Sequence, residues 1–132
     1  MRVAATVLIA LALLPATAPE GLAQCSVSFS NDVQPILTAR CASCHAAPGP
    51  AAALDLTAGN SYGALVNVAS LECPAYKRVN PGSPGTSYLI FKLQGSGACF
   101  VGARMPSDGS PYLSAGDMNK ITSWITQGAL NN

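Results

Sequence analysis

Two cysteines and the chain's one histidine stand together as Cys41-Ala42-Ser43-Cys44-His45. A C-x-x-C pair serves as a dithiol redox motif within a βαβ unit, or as half of a tetrahedral zinc site when two further ligands follow. With a histidine attached directly, it is the pattern of covalent c-type haem attachment. The spacing lets both sulfurs reach the two vinyl groups on one porphyrin edge, and the adjacent imidazole then comes under the iron. No βαβ alternation surrounds the motif, and zinc would need His45 joined by a distant third cysteine. The pattern therefore predicts one haem c attached through Cys41 and Cys44, with His45 as the proximal axial ligand.

That single histidine constrains the other face of the iron. Bis-histidine ligation within the chain is impossible, which leaves methionine, the axial donor that raises the potential of Met/His cytochromes. Removal of Met1 with a leader leaves Met105 and Met118. Met118 shares a helical stripe with Ile121 and reads as core. Met105 stands in Gly102-Ala103-Arg104-Met105-Pro106, bounded by glycine and proline, with no apolar stripe to claim its thioether. It is far enough from His45 along the chain to reach the opposite face. Met105 is the expected distal ligand, with water or an open position as the alternative.

Outward from the motif, four segments read as helices. Ser30 or Asn31 caps a helix through Val33, Ile36 and Leu37 to about Cys41, with Pro35 tolerated in the first turn. Ser61 to about Val68 carries Tyr62, Leu65 and Val66. Ser83-Pro84 starts a helix through Tyr88, Leu89, Phe91 and Leu93 that Gly95 ends. Ser114 with Asp117 resembles a capping box ahead of Met118, Ile121, Trp124 and Ile125, and Gly128 supplies the stop. No stretch alternates as a strand does, so the expected class is all-α with long loops.

Composition narrows the rest. At 132 residues the chain allows one domain. Charged residues make up 10% and the formal net charge is +1, which excludes an electrostatic nucleic-acid binder and a charge-driven disordered chain. Arg2, an uncharged stretch from Val3 to Pro19 and Gly21-Leu22-Ala23 describe a signal peptide over 1–23. Its apolar middle is too short for a membrane span. An exported, periplasmic or extracytoplasmic domain over 24–132 follows. Cys25 stands where a lipoprotein carries its acylated cysteine, although Gln24 departs from that signal; acylation there is the only expected route to a membrane. The remaining cysteines, Cys73 and Cys99, bracket one helix and in an oxidising compartment invite a disulfide. A bridge from Cys25 to either is the competing arrangement.

The chain resembles a small class I c-type cytochrome, most closely the planctomycete-type cytochrome c domains. The resemblance rests on Phe29-Ser30, Asp32-Val33, Pro35-Ile36-Leu37, the Cys41–His45 motif, Pro81-Gly82-Ser83-Pro84, Ser87-Tyr88-Leu89, Met105-Pro106, Trp124-Ile125 and Gly128-Ala129. It implies a cytochrome c fold of about four short helices around the haem. In that fold the first and last helices cross, with Val33 or Leu37 near Trp124. It also implies Met105 as distal ligand and electron transfer as the activity, with redox proteins as partners. No catalytic triad or acid–base pair is visible, so the expected role is a one-electron carrier rather than an enzyme. The alternatives are a haem enzyme or small-ligand sensor with an open sixth position, and a haem subunit of a larger exported oxidoreductase. Tyr62, Tyr88, Trp124 and Arg40 are candidates to hydrogen-bond haem propionates or simply to pack. Arg104 and Lys92 could steer a redox partner or be solvated surface cations.

Overall fold

Pro35 shapes the first element. It has no N–H to offer the carbonyl four residues back, and its ring crowds that carbonyl. In the computed structural model, which describes residues 26–46 and 51–132, the turn before it opens into π geometry over Phe29–Val33 and then tightens into α1, Gln34–Arg40. Val33 N–H and Gln34 N–H each donate to a carbonyl five residues back, those of Ser28 and Phe29. The cap is accordingly Ser28, earlier than expected. Its Oγ accepts from Asn31 N–H, and the Asp32 carboxylate accepts from Ser28 N–H at 2.9 Å. The expected signal peptide and Cys25 lie outside the described residues.

Three further helices follow: α2, Ser61–Leu65, α3, Tyr88–Gln94, and α4, Ala115–Thr126. Helix α2 stops short of Val68 because Val66 turns extended and pairs with Val79. Pro84 begins a 3₁₀ turn, Pro84–Thr86, and Ser87 breaks it before α3 starts. In α4, Ser114 Oγ accepts from Asp117 N–H at 3.0 Å. The short Asp117 carboxylate accepts from the Ser114 hydroxyl at 2.8 Å instead of reaching its amide. Among the described residues, strand pairing is confined to isolated bridges of Val66 with Val79, Ala69 with Lys77 and Lys77 with Ser87.

The core forms where the two ends of the described chain meet. Trp124, 1% exposed, lies against Phe29 with ring centroids 5.0 Å apart, and Tyr62 meets the Phe29 ring edge-on at 5.3 Å. Val33, Leu37, Leu65, Val79, Ile121 and Ile125 complete the same apolar cluster. The polar ends of the rings are satisfied by the segment after α4: Trp124 Nε1–H donates to Leu130 carbonyl and Tyr62 hydroxyl to Ala129 carbonyl. That segment also binds the N-terminal turn, since Asn132 Oδ1 accepts from Phe29 N–H and Gln127 Oε1 from Val27 N–H, both at 2.8 Å. A buried polar link ties α1 to α2. Ser61 hydroxyl donates to Gln34 Oε1, and Gln34 Nε2 donates to Leu56 carbonyl at 3.2 Å.

Tyr62 and Trp124 are thus core residues and do not face the cleft described below. Truncating the indole removes a fully buried aromatic, which costs about 3–5 kcal/mol. Trp124→Ala is expected to lower stability by that amount in denaturant melts, and a loss below about 1 kcal/mol would contradict the central role of this contact.

Candidate functional site

The five-residue motif continues α1 by one more turn. Cys41 and Ala42 N–H groups both donate to Leu37 carbonyl at 2.9 Å, and His45 N–H donates to Cys41 carbonyl at 3.0 Å. The segment at 51–56 then grips His45 from outside: Leu56 N–H donates to its carbonyl at 2.7 Å. The imidazole Nδ1 lies 2.9 Å from Ala51 carbonyl oxygen. A carbonyl can only accept, so in the neutral ring the proton belongs on Nδ1 and the lone pair on Nε2. This is the tautomer in which a histidine ligates a metal through Nε2 with its other nitrogen held by an outer partner.

Cys41, Cys44, His45 and Met105 line one cleft of about 1130 Å³, counting the part open to solvent. Its cavity proper is about 230 Å³, below the roughly 300–1,000 Å³ usual for ligand pockets, so a bulky ligand would stay partly open to solvent. Leu54, Leu56, Leu65, Leu89 and Leu93 make its apolar wall. Cys41 and Cys44 carry free thiols. Burial, partly offset by Arg40, pushes the Cys41 thiol up to about 11 from 9.0, with Asp108 and Cys44 adding to the rise. Met105 is tied to the end of α3, its N–H donating to Lys92 carbonyl at 2.8 Å, and Pro106 after it is buried. Met118, half-buried, packs against the main core.

The two rival chemistries find less here. Among the described residues, no three His, Cys, Asp or Glu side chains lie close enough to hold a metal ion, whereas tetrahedral zinc wants four ligands. The motif follows α1, and among the described residues no strand lies beside it.

Of the four residues suggested for propionate contact, Arg40 and Tyr88 line the cleft and Tyr62 and Trp124 do not. Arg78 also lines it and was not singled out from the sequence. Its guanidinium donates to Ala64 carbonyl at 2.9 Å and Ala53 carbonyl at 3.3 Å, and burial lowers its pKa. The one trace of it in the sequence is the doublet Lys77-Arg78, which does not say which cation turns inward. Lys77 turns outward, to Asn67 Oδ1. Lys92 also lines the cleft, paired with Glu72 at 3.1 Å.

Cys73 and Cys99 are joined, with an S–S distance of 2.05 Å. The bridge ties the cleft-lining segment at 70–72 to the loop that leads to Met105. Beneath it Tyr76, Tyr88, Phe91 and Phe100 form a second apolar cluster. Gly97, at φ +142°, sits so close to Phe91 that an added Cβ would lie 2.5 Å from the ring.

Closing a loop of 26 residues stabilises by about 3–4 kcal/mol in the chain-entropy account. The double variant Cys73→Ser, Cys99→Ser is expected to lose that amount in denaturant melts, and an unchanged midpoint would contradict the bridge. The raised Cys41 pKa predicts that the folded protein with free thiols is alkylated at Cys41 about a hundredfold more slowly at pH 8 than the urea-unfolded chain. The rate should climb about tenfold per pH unit until about pH 11, because only the thiolate reacts. Comparison with known proteins names no relative: no family model matches the chain, and neither does any curated protein or solved structure.

Proposed function

We propose that this chain is a monohaem c-type cytochrome that carries single electrons between redox proteins in an extracytoplasmic compartment. The observation that carries the reading is the gathering of Met105 onto the same cleft as Cys41, Cys44 and His45, with His45 Nε2 left free by the bond from Nδ1 to Ala51 carbonyl. The residues fit the group: two free thiols three positions apart on one cleft, an imidazole with Nδ1 held by Ala51 carbonyl, a thioether and an apolar wall. Bound there, haem supplies one-electron chemistry through ferric and ferrous iron.

The chain's own residues have separable tasks. Cys41 and Cys44 would hold the group covalently, so that it stays with the protein through turnover. His45 would ligate through Nε2, and the Ala51 carbonyl makes that nitrogen a stronger donor. Met105 would supply a second donor atom, a thioether of the kind that raises the potential. The leucine wall would present an apolar surface to the bound group and so lessen its contact with water. Arg40, Arg78 and Lys92 are the cations that line the cleft and would be candidates to meet the carboxylates of a porphyrin. Arg78 is the best prepared of them, because backbone carbonyls already hold it at the cleft edge.

The exported protein is expected to be coloured, to keep its pigment in acidified organic solvent, and to show a low-spin, methionine-ligated ferric spectrum. Met105→Ala should abolish that signature and lower the potential. A colourless protein, or pigment that washes out, overturns the assignment. A high-spin wild-type spectrum with ready carbon monoxide binding would favour the sensor or enzyme alternative.

A further inference from the structure

Met105 sits in a run from Gly95 to Leu113 without a helix or strand, yet an axial ligand has to be held at one place. Helix α3 ends with carbonyls that have no partner inside the helix. Phe91 carbonyl is taken by Gly95 and Ser96 N–H groups. The next two are taken by the methionine loop: Met105 N–H donates to Lys92 carbonyl and Arg104 Nε–H to Leu93 carbonyl, both at 2.8 Å. The loop therefore caps α3, and α3 anchors the loop.

Arg104 does more than cap. Its guanidinium carbon lies 3.9 Å from the centre of the Tyr112 ring, which brings the returning end of the loop back over its start. On the other side the arginine stem lies against Gly95, where a Cβ would come within 2.9 Å of it. Gly95, at φ +75°, both ends the helix in a left-handed turn and leaves room for the stem. Beyond Tyr112, Arg40 from the end of α1 donates to Pro111 carbonyl at 2.8 Å.

We propose that Arg104 is the positioning residue for Met105: a planar cation clamped between Leu93 carbonyl and the Tyr112 ring, which keeps the thioether turned to the cleft. This rests on the reading of Met105 as an axial ligand. Arg104 is thereby withdrawn from the role of a free surface cation that steers a partner.

The test uses the haem-loaded protein and two readouts. Amide hydrogen exchange at Met105 reports the clamp without reference to iron. Titration of the ferric protein with imidazole reports how readily the sixth ligand is displaced. Arg104→Leu is expected to speed exchange at Met105 about tenfold, with the Ile121 amide in α4 unchanged, and to tighten imidazole binding about tenfold, the low end of what one charged hydrogen bond is worth. Tyr112→Leu should act in the same direction, and adding it to Arg104→Leu should do little more, whereas Tyr112→Phe should behave as wild type. Arg104→Lys should not restore wild-type values, because an ammonium lacks the planar fork.

Unchanged exchange at Met105 in Arg104→Leu overturns the proposal, as does equal acceleration at Met105 and Ile121, or full rescue by lysine. Faster exchange with unaltered imidazole binding leaves the clamp standing and removes Met105 from the iron, so the two readings fail separately.

Discussion

The contact between Phe29 and Trp124 is the interaction on which the remaining arrangement depends. Helices of five to twelve residues are too short to be stable by themselves in water. Here they gain their stability from burial against one another, and the aromatic pair fixes where that burial begins. Once the turn at Phe29–Val33 is seated on α4, the direction of α1 is set, and with it the place where Cys41 to His45 emerge. The carbonyls after α4 that receive the Trp124 and Tyr62 donors let the indole be buried and the half-buried tyrosine pack against it without an unpaired group.

From that frame the cleft is assembled by backbone carbonyls used as fixed acceptors. Ala51 carbonyl orients His45, Lys92 and Leu93 carbonyls hold the methionine loop, and Ala64 and Ala53 carbonyls hold Arg78. Acceptors of this kind come with the chain's path and cannot rotate away. The pattern suits a proposed electron carrier, in which donor atoms should move little between oxidation states. The disulfide and the second aromatic cluster stiffen the loop from the other side, so that the irregular half of the chain is pinned by a covalent tie, a helix end and an aromatic face.

Much of the local structure is legible in the sequence. Ser114, Asp117 and Gly128 mark α4 because capping is a short-range exchange of hydrogen bonds, readable from residues three apart. Gly95 marks the end of α3 because a left-handed turn selects for it. The start of α1 was misplaced because Pro35 forces a wider turn, and Ser28 then becomes the residue whose hydroxyl meets a free N–H. The end of α2 was misplaced because Val66 is drawn into a bridge with Val79, a partner the local sequence does not contain.

By itself the amino-acid sequence determined the chemistry on offer: two thiols and an imidazole at a spacing that only neighbouring residues can set, and one methionine with no helical stripe to claim it. Tertiary structure alone decided which groups share a cleft. It sent Tyr62 and Trp124 to the core, turned Arg78 inward and Lys77 outward, and set Arg104 on the Tyr112 ring. These choices turn on contacts between residues far apart in the chain, where burial of one side chain is settled by the shape of all the others.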